Sequence, residues 1–293
     1  MPKCVIVSGA DPGYFPLLKD CFTSIRSFPA LADIDFCALD FDLKQDQRDW
    51  LTANGAQSIV PEWHIDFRNR SAMPTHYKAM TARPFLPQYF AGHDIIMWLD
   101  ADIWVQDPEY VRLYLIGAER YGFTVVSEMD RAYGIIYGEY SKARDSHHLT
   151  YAHCFGRQTA DEMIHFPIIN SGAFAIRRNH PIWGAWQKNC RQAIELAPLK
   201  LAEQAALNLA VYTSDAAQRP HMLPALANWI CSLALPLWNA SDRKLLEPNL
   251  PQRPLGLVHM TGLHQAMTLQ TVTGQSVTTG LQYSAIRKLG GGP

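Results

Sequence analysis

Strand-like apolar runs and helix-like periodicity alternate through the first half of the chain. Residues 4–8 read as a buried strand, and 15–27 repeat their apolar positions at helical spacing. A second strand is predicted at 34–39, and a helix at 45–54 is closed by Gly55. A short third strand at 58–60 is followed by a helix at 75–90, with bends expected at Pro84 and Pro87. The fourth strand is 95–99, the next helix 108–121 and the fifth strand 124–127. This β-α-β alternation predicts an α/β fold with a mainly parallel central sheet flanked by helices. In such sheets ligands bind at the carboxyl ends of strands, and Asp11 and Asp100 fall at such ends.

The second half is less regular. From 129 to 165 the pattern weakens, and Tyr133, Tyr137, Tyr140, His147, His148, Tyr151 and His153 sit among charged residues. That stretch reads either as an acceptor-side insertion or as an ordinary surface excursion. Strand character returns at 166–176, interrupted by Asn170-Ser171-Gly172, and helices follow at 181–197 and 201–212. The tail beyond Gln265, ending in the Gly run at 290–293, is turn-rich. No repeat or linker divides the chain. The expected organisation is one domain at 1–265 and a C-terminal extension at 266–293.

The densest chemistry lies where the fourth strand ends. The apolar run Ile95 to Leu99 stops at Asp100-Ala101-Asp102, a second apolar stretch follows at 103–105, and Asp107-Pro108 has the form of a helix N-cap and first turn. Two carboxylates at the edge of a buried strand are costly unless their charge is compensated. A divalent cation with hard oxygen ligands, Mg²⁺ or Mn²⁺, is the natural compensator, and such ions keep positions open for substrate phosphates. The Asp-x-Asp pattern also occurs at Asp33-Ile34-Asp35 and Asp40-Phe41-Asp42. The first precedes its strand; the second follows one and competes, but the context favours Asp100 and Asp102, with Trp98 and Leu99 before them and the apolar stretch at 103–105 directly after.

Composition narrows the rest. The chain has 293 residues, 48% hydrophobic and 18% charged, enough for a sizeable core. Its formal net charge of −1 offers no basic excess for a phosphate backbone, so no nucleic-acid partner is expected. The first strand begins almost at once, where a secretory leader would lie, and the most apolar later segment, 225–238, is broken by Asn228, Ser232 and Pro236. No transmembrane segment and a cytoplasmic location are expected, with peripheral docking to a membrane left open. The six cysteines form no Cys-x-x-Cys pair and read as free thiols. Asn69-Arg70-Ser71 and Asn239-Ala240-Ser241 match a glycosylation pattern that means little without a secretory signal. The Gly-rich fingerprints of dinucleotide and P-loop sites are absent, as is His-Glu-x-x-His.

Several separated segments together resemble the GT-A glycosyltransferases. The resemblance is strongest to the retaining family 8 group that includes glycogenin and bacterial lipopolysaccharide galactosyltransferases. The segments are Ala10-Asp11-Pro12-Gly13-Tyr14, Leu99-Asp100-Ala101-Asp102-Ile103, Asn170-Ser171-Gly172 with Trp183 and Trp186 after it, Glu203-Gln204 continuing to Asn208, and Val258-His259-Met260-Thr261-Gly262. The resemblance implies a GT-A nucleotide-diphospho-sugar transferase fold. It also implies a hexose moved from a nucleoside-diphosphate sugar, UDP-linked, to a hydroxyl of a glycan, lipid-linked or protein acceptor, with retention of configuration. By the same resemblance, Asp100, Asp102 and His259 hold Mn²⁺ or Mg²⁺. Asp11 and Tyr14 meet the nucleotide, Arg83 and Lys78 the phosphate or sugar, and Asp130 the sugar or acceptor. Asn170, Ser171 and Gly172 let the backbone approach the sugar, Glu203 orients its hydroxyls, and Gln204 lies beside the anomeric carbon. Gly262 closes the donor side. One departure is visible. Where the family often carries Lys-Pro-Trp, this chain reads Leu263-His264-Gln265-Ala266-Met267, which removes a phosphate-binding lysine.

Two other readings use the same residues. A nucleotidyltransferase would place two metals on these carboxylates, but would want a basic phosphate loop, and 9–13 contains no Lys or Arg. A catalytically degenerate nucleotide- or sugar-binding protein fits the altered segment after His259 and the neutral Gln204.

Overall fold

The computed structural model describes residues 2–68, 70–134, 140–196, 201–215 and 219–289. Asn69, Tyr137, Ala197 and the Gly run at 290–293, all used in the sequence reading, lie outside the described residues, as does the side chain of Tyr140.

In chain order the first elements are β1 (Cys4–Ala10), α1 (Phe15–Arg26), β2 (Asp35–Asp40), α2 (Gln45–Ala53) and β3 (Gln57–Ile59). Then come α3 (Lys78–Ala82), α4 (Leu86–Tyr89), β4 (Ile95–Leu99), β5 (Ile103–Val105), α5 (Pro108–Tyr121) and β6 (Phe123–Ser127). The second half supplies α6 (Tyr140–Phe155), α7 (Arg157–Met163), β7 (Ile169–Arg177), α8 (Ile182–Leu196) and α9 (Ala202–Tyr212). Short strands follow: β8 (His221–Leu223), β9 (Trp229–Ile230), β10 (Leu237–Asn239), β11 (Lys244–Leu246) and β12 (Leu257–His259). A hairpin of β13 (Met267–Gln270) and β14 (Ser276–Thr279) leads into α10 (Tyr283–Leu289).

The main sheet has the order β3-β2-β1-β4-β7-β6-β8. The β1–β2, β2–β3, β1–β4 and β6–β8 pairs are parallel, and β7 runs antiparallel to β4 and β6. Its two faces are separate cores, as the alternation of side chains across a strand requires. Ile6, Ala38, Met97 and Ala175 pack on the α1 and α5 side, while Val7, Leu39, Trp98 and Ile176 pack on the α8 and α9 side. β4 is buried at every position, which is why its sequence reads as an unbroken apolar run.

A smaller sheet, β5-β12-β9, sets the geometry of the site. β12 runs antiparallel to β5 and parallel to β9, with His259 opposite Ile103 and Ile230. Since β5 begins just after Asp102, this pairing places a residue 157 positions further along the chain beside the Asp-x-Asp turn. Asp107 caps α5 as its sequence predicts, its carboxylate accepting from Glu109 N at 3.0 Å.

Two expectations are corrected. The single helix at 75–90 is instead a 3₁₀ turn (Thr75–Tyr77), α3, a second 3₁₀ turn (Arg83–Phe85) and α4. Pro84 and Pro87 remove backbone donors and crowd the preceding turn, so one continuous helix is not available. The weakly patterned 129–165 stretch contains two helices, α6 and α7, whose Tyr151, Ala160 and Met163 pack on Ala205 of α9. The tail is also ordered by packing. Leu281 and Ile286 are buried, Trp104 donates its indole N–H to Leu281 O, and Ser284 bonds Asp20 of α1. All six cysteines are free thiols.

Candidate functional site

β4 delivers Asp100 to the carboxyl edge of the main sheet, and the turn into β5 delivers Asp102. A backbone bond from Asp100 N to Gly172 O, 2.7 Å, ties that turn to β7. One oxygen of Asp100 is anchored: Oδ1 accepts from Trp98 Nε1 at 2.8 Å and lies 3.2 Å from Arg83 Nη2. The other, Oδ2, faces His259 Nε2 at 3.9 Å, and Asp102 Oδ1 faces the same nitrogen at 3.4 Å. Ligand atoms of Asp100, Asp102 and His259 all lie within 4.8 Å of one another. The competing pair is explained structurally. Asp40 is buried, accepts from Leu43 N at 2.6 Å and pairs with Arg48 at 2.6 Å, so its charge is already compensated.

The His259 ring is set from behind. Its Nδ1 lies 3.1 Å from Asn228 Oδ1, while the Asn228 amide donates to Asn170 Oδ1 at 2.9 Å. Asn228 therefore presents an acceptor to Nδ1, which must carry the proton, and Nε2 is turned toward the two carboxylates. Burial favours a neutral His259, but Asp102 and Asp100 outweigh it and raise the ring above its ordinary value. Burial pushes Asp102 up, yet His259 and then His264 hold it well below the usual carboxylate range. Both directions have one cause, the mutual attraction of the ring and the two carboxylates.

Gly172 is required by the same cluster. A Cβ built there would lie 2.5 Å from His259 Cε1 and 2.9 Å from Asp100 Oδ2. Behind it, Arg83 gathers the second layer of charge. Nη1 donates to Ser171 Oγ at 3.0 Å and pairs with Glu203 Oε2 at 3.0 Å, while Nη2 meets Asp100 and the guanidinium covers the Trp98 ring at 5.2 Å. One cation is thus shared by two carboxylates. Burial pushes Glu203 up, Arg83 only partly offsets this, and the carboxyl rises to about 7. Its Oε1 is buried without a hydrogen-bond partner.

Gln204 is held at both ends. Its Oε1 accepts from Ser171 N at 3.1 Å and its Nε2 donates to Glu128 Oε1 at 3.1 Å. Glu128 also accepts from Asn170 Nδ2 at 2.8 Å. α9 is fixed against β7 by Asn208, which bonds both Ile169 N and Ile169 O, and against α8 by the Trp186 indole donating to Glu203 O.

The remaining sequence-predicted residues lie around this group. Asp11 accepts from Tyr14 N at 2.9 Å in the turn before α1 and sits 3.4 Å from His76. Tyr14 is exposed, with its edge 5.5 Å from the His264 ring. Gly262, at φ +86°, points its N–H at Asp102 Oδ2 at 3.4 Å. Lys78 is turned to the Trp63 ring at 5.9 Å, and Asp130 is engaged in a turn with Ala132 N at 2.9 Å. Neither makes a contact with the acidic cluster among the described residues.

The sequence reading passed over Asn228 and Glu128. Both had signals: Asn228 is a polar residue inside an otherwise apolar run, and Glu128 directly follows a strand end.

The chemistry of the donor set fits a divalent ion. Two carboxylates and a neutral imidazole, the latter fixed by a hydrogen bond on its other nitrogen, suit Mn²⁺ or Mg²⁺.

No family model matches the sequence, and no curated protein does. Solved structures do. The galactosyltransferase LgtC, in complex with donor and acceptor sugar analogs, matches with a TM-score of 0.53 at 16% identity, over 89% of this chain and 88% of that one. The glycosyltransferase GlyE of Streptococcus pneumoniae matches with a TM-score of 0.50 at 15% identity, over 88% of this chain and 54% of that one. The bifunctional glycosyltransferase WbbM matches with a TM-score of 0.50 at 13% identity, over 82% of this chain and 40% of that one. At such identities the likeness is one of architecture: the chain has the fold of the GT-A glycosyltransferases.

Proposed function

We propose that this protein is a metal-dependent glycosyltransferase that moves a hexose from a UDP-linked donor to a hydroxyl acceptor with retention of configuration. The observation that carries the reading is the convergence of Asp100, Asp102 and His259 within 4.8 Å, at the carboxyl end of a strand, the edge where open α/β sheets generally bind ligands. Those three residues would hold Mn²⁺ or Mg²⁺. When bound, the ion offsets the charge that develops on a leaving diphosphate.

The chain's own residues divide the remaining work. Tyr14, exposed just before α1, offers a ring for the base, with Asp11 beside it. Arg83 is fixed by Asp100, Ser171 and Glu203 and brings positive charge to the donor without needing to reorganise. Glu203 would orient the sugar hydroxyls, its buried Oε1 having no hydrogen-bond partner within the protein. Gln204 is neutral and tethered at both ends of its amide, so it positions the sugar and does not act as a strong base. A weak nucleophile there supports front-face transfer, in which the acceptor proton passes to the departing phosphate. Gly172, flanked by Asn170 and Ser171, keeps the backbone free of a side chain where the sugar would lie. The acceptor would enter past Asp130 and α6. A glycan, a lipid-linked glycan or a protein hydroxyl are the candidate acceptors, and no helix among the described residues is long and apolar enough to cross a membrane.

The decisive experiment is calorimetric titration of UDP, GDP and ADP with and without Mn²⁺, on the wild type and on Asp102→Ala. UDP binding that needs both Mn²⁺ and Asp102 supports the reading, and a screen of UDP-sugars then finds the donor. No nucleotide binding under any metal condition would sink it.

A further inference from the structure

The turn after β12 carries a second imidazole to the acidic cluster. His264 Nε2 lies 3.6 Å from Asp102 Oδ2, on the opposite oxygen from the one that faces His259 at 3.4 Å. That nitrogen is buried and makes no hydrogen bond, although the rest of the side chain is only partly covered. A buried ring nitrogen without a hydrogen bond is costly, and its direction toward a carboxylate oxygen just beyond hydrogen-bond reach leaves room for an ion between the two.

The backbone is arranged to hold it there. Thr261 and Gly262 both adopt left-handed conformations, at φ +49° and +86°, which turn the chain back toward Asp102. His264 N donates to Gly262 O at 3.0 Å. Its carbonyl accepts from the Gln282 side chain, at the start of the C-terminal helix, and the edge of Tyr14 closes the other side of the ring. The β13–β14 and α10 segment therefore has a direct contact with the metal cluster's border.

We infer that His264 is a fourth protein ligand to the ion at Asp100, Asp102 and His259, giving a site of two carboxylates and two imidazoles. The inference rests on the proposed metal-dependent reading and specifies which ions that site prefers. Imidazole nitrogen suits Mn²⁺, Co²⁺ and Zn²⁺, whereas Mg²⁺ favours oxygen and water. A second imidazole shifts the preference away from Mg²⁺. Two ligand atoms bound to one ion at about 2.1 Å are roughly 3 to 4 Å apart; His264 meets that spacing to Asp102 Oδ2 at 3.6 Å but stands outside the 4.8 Å grouping of Asp100, Asp102 and His259, so its ring joins them by shifting toward the ion as the ion binds. With four protein ligands, a roughly six-coordinate ion retains positions for diphosphate oxygens.

The test uses the full chain stripped by a chelator. Co²⁺ alone is titrated into the wild type, His264→Ala and His264→Asn, with its visible absorption recorded, and Mg²⁺ is then used as competitor. Unfolding curves of each variant establish that it is folded. The expected result is Co²⁺ affinity weakened about tenfold or more in both variants, an altered visible band, and little change in Mg²⁺ affinity. Unchanged Co²⁺ affinity and spectrum would overturn the inference. If UDP binding weakens while the Co²⁺ spectrum stays the same, the ring serves the diphosphate and the inference is likewise overturned, with the proposed function intact. If the wild type binds no divalent ion at all, both fail together.

Discussion

Asn228 Oδ1 stands 3.1 Å from His259 Nδ1 and so decides which nitrogen of that ring faces the two carboxylates. The bond crosses from the turn before β9 to the end of β12, two strands that are parallel neighbours. The Asn228 amide is itself oriented by Asn170, so a chain of two side chains connects the β7 bulge region to the ring.

This arrangement predicts the effect of removing Asn228. Replacement by Ala leaves Nδ1 without its acceptor and the ring free to change tautomer or swing. Mn²⁺ affinity is expected to fall about 10- to 100-fold. Titration of Mn²⁺ followed by its electron paramagnetic resonance signal measures this directly, and an unchanged affinity would show that packing alone holds the ring.

Gly172→Ala tests the clearance of the site. The added carbon would meet His259 Cε1 at 2.5 Å and Asp100 Oδ2 at 2.9 Å, and neither partner can retreat without leaving the cluster. Metal binding is expected to be lost, with a destabilisation of about 1–3 kcal/mol from overpacking. Parallel metal titration and denaturant unfolding separate the two effects.

Below the raised value of the His259 ring, metal binding must displace a proton from it. Burial works against that proton, but Asp102 raises the ring above its ordinary value. Affinity for Mn²⁺ is therefore expected to climb as pH rises through the raised value and to level off above it. In the ion-free protein the same group contributes stability that is complete below the unfolded value near 6.5 and is lost as pH rises through the folded one. Calorimetry across about pH 6 to 8.5 would show the slope. A flat profile would mean that the ring is neutral throughout.

Glu203 gives a second pH dependence of defined sign. Burial lifts its carboxyl from 4.5 to about 7, so between those values the folded protein holds a proton that the unfolded chain has released. Stability of the metal-free protein should fall across that window, by an amount of order 3 kcal/mol. Glu203→Gln removes the titration, so the variant should lack this slope and gain on the wild type above pH 7. Thermal unfolding at about pH 5 and pH 8 compares the two.

How much of this was legible in advance follows from the range of each interaction. The strand and helix order of the first half is a local matter of periodicity and caps. The 95–99 run, the Asp107 cap and the Gly55 stop are read correctly because their causes lie within a few residues. Pro84 and Pro87 were visible too, but the number of breaks they impose depends on packing against α8 and β4, and the single helix expected there dissolved into four pieces. Helices α6 and α7 were hidden because their apolar positions form no clear stripe. They are held by Tyr151, Ala160 and Met163 against a helix more than forty residues further along.

The sequence by itself determined the parallel α/β alternation and the strand end carrying Asp100 and Asp102, since apolar period and strand-edge position are properties of short segments. It also supplied, through an ordered set of motifs, the expectation that His259 would join them. Only the tertiary structure decided which Asp-x-Asp can offer ligand oxygens: Arg48 engages the buried Asp40, whereas Asp100, although paired with Arg83 through Oδ1, and Asp102 each turn an oxygen to the same imidazole nitrogen. It alone placed Asn228 behind His259, Glu128 between Asn170 and Gln204, and His264 on the second oxygen of Asp102. Each of these contacts joins residues dozens of positions apart or depends on a left-handed turn. The cost of burying unpaired polar groups chooses among such pairings only when the whole chain is packed.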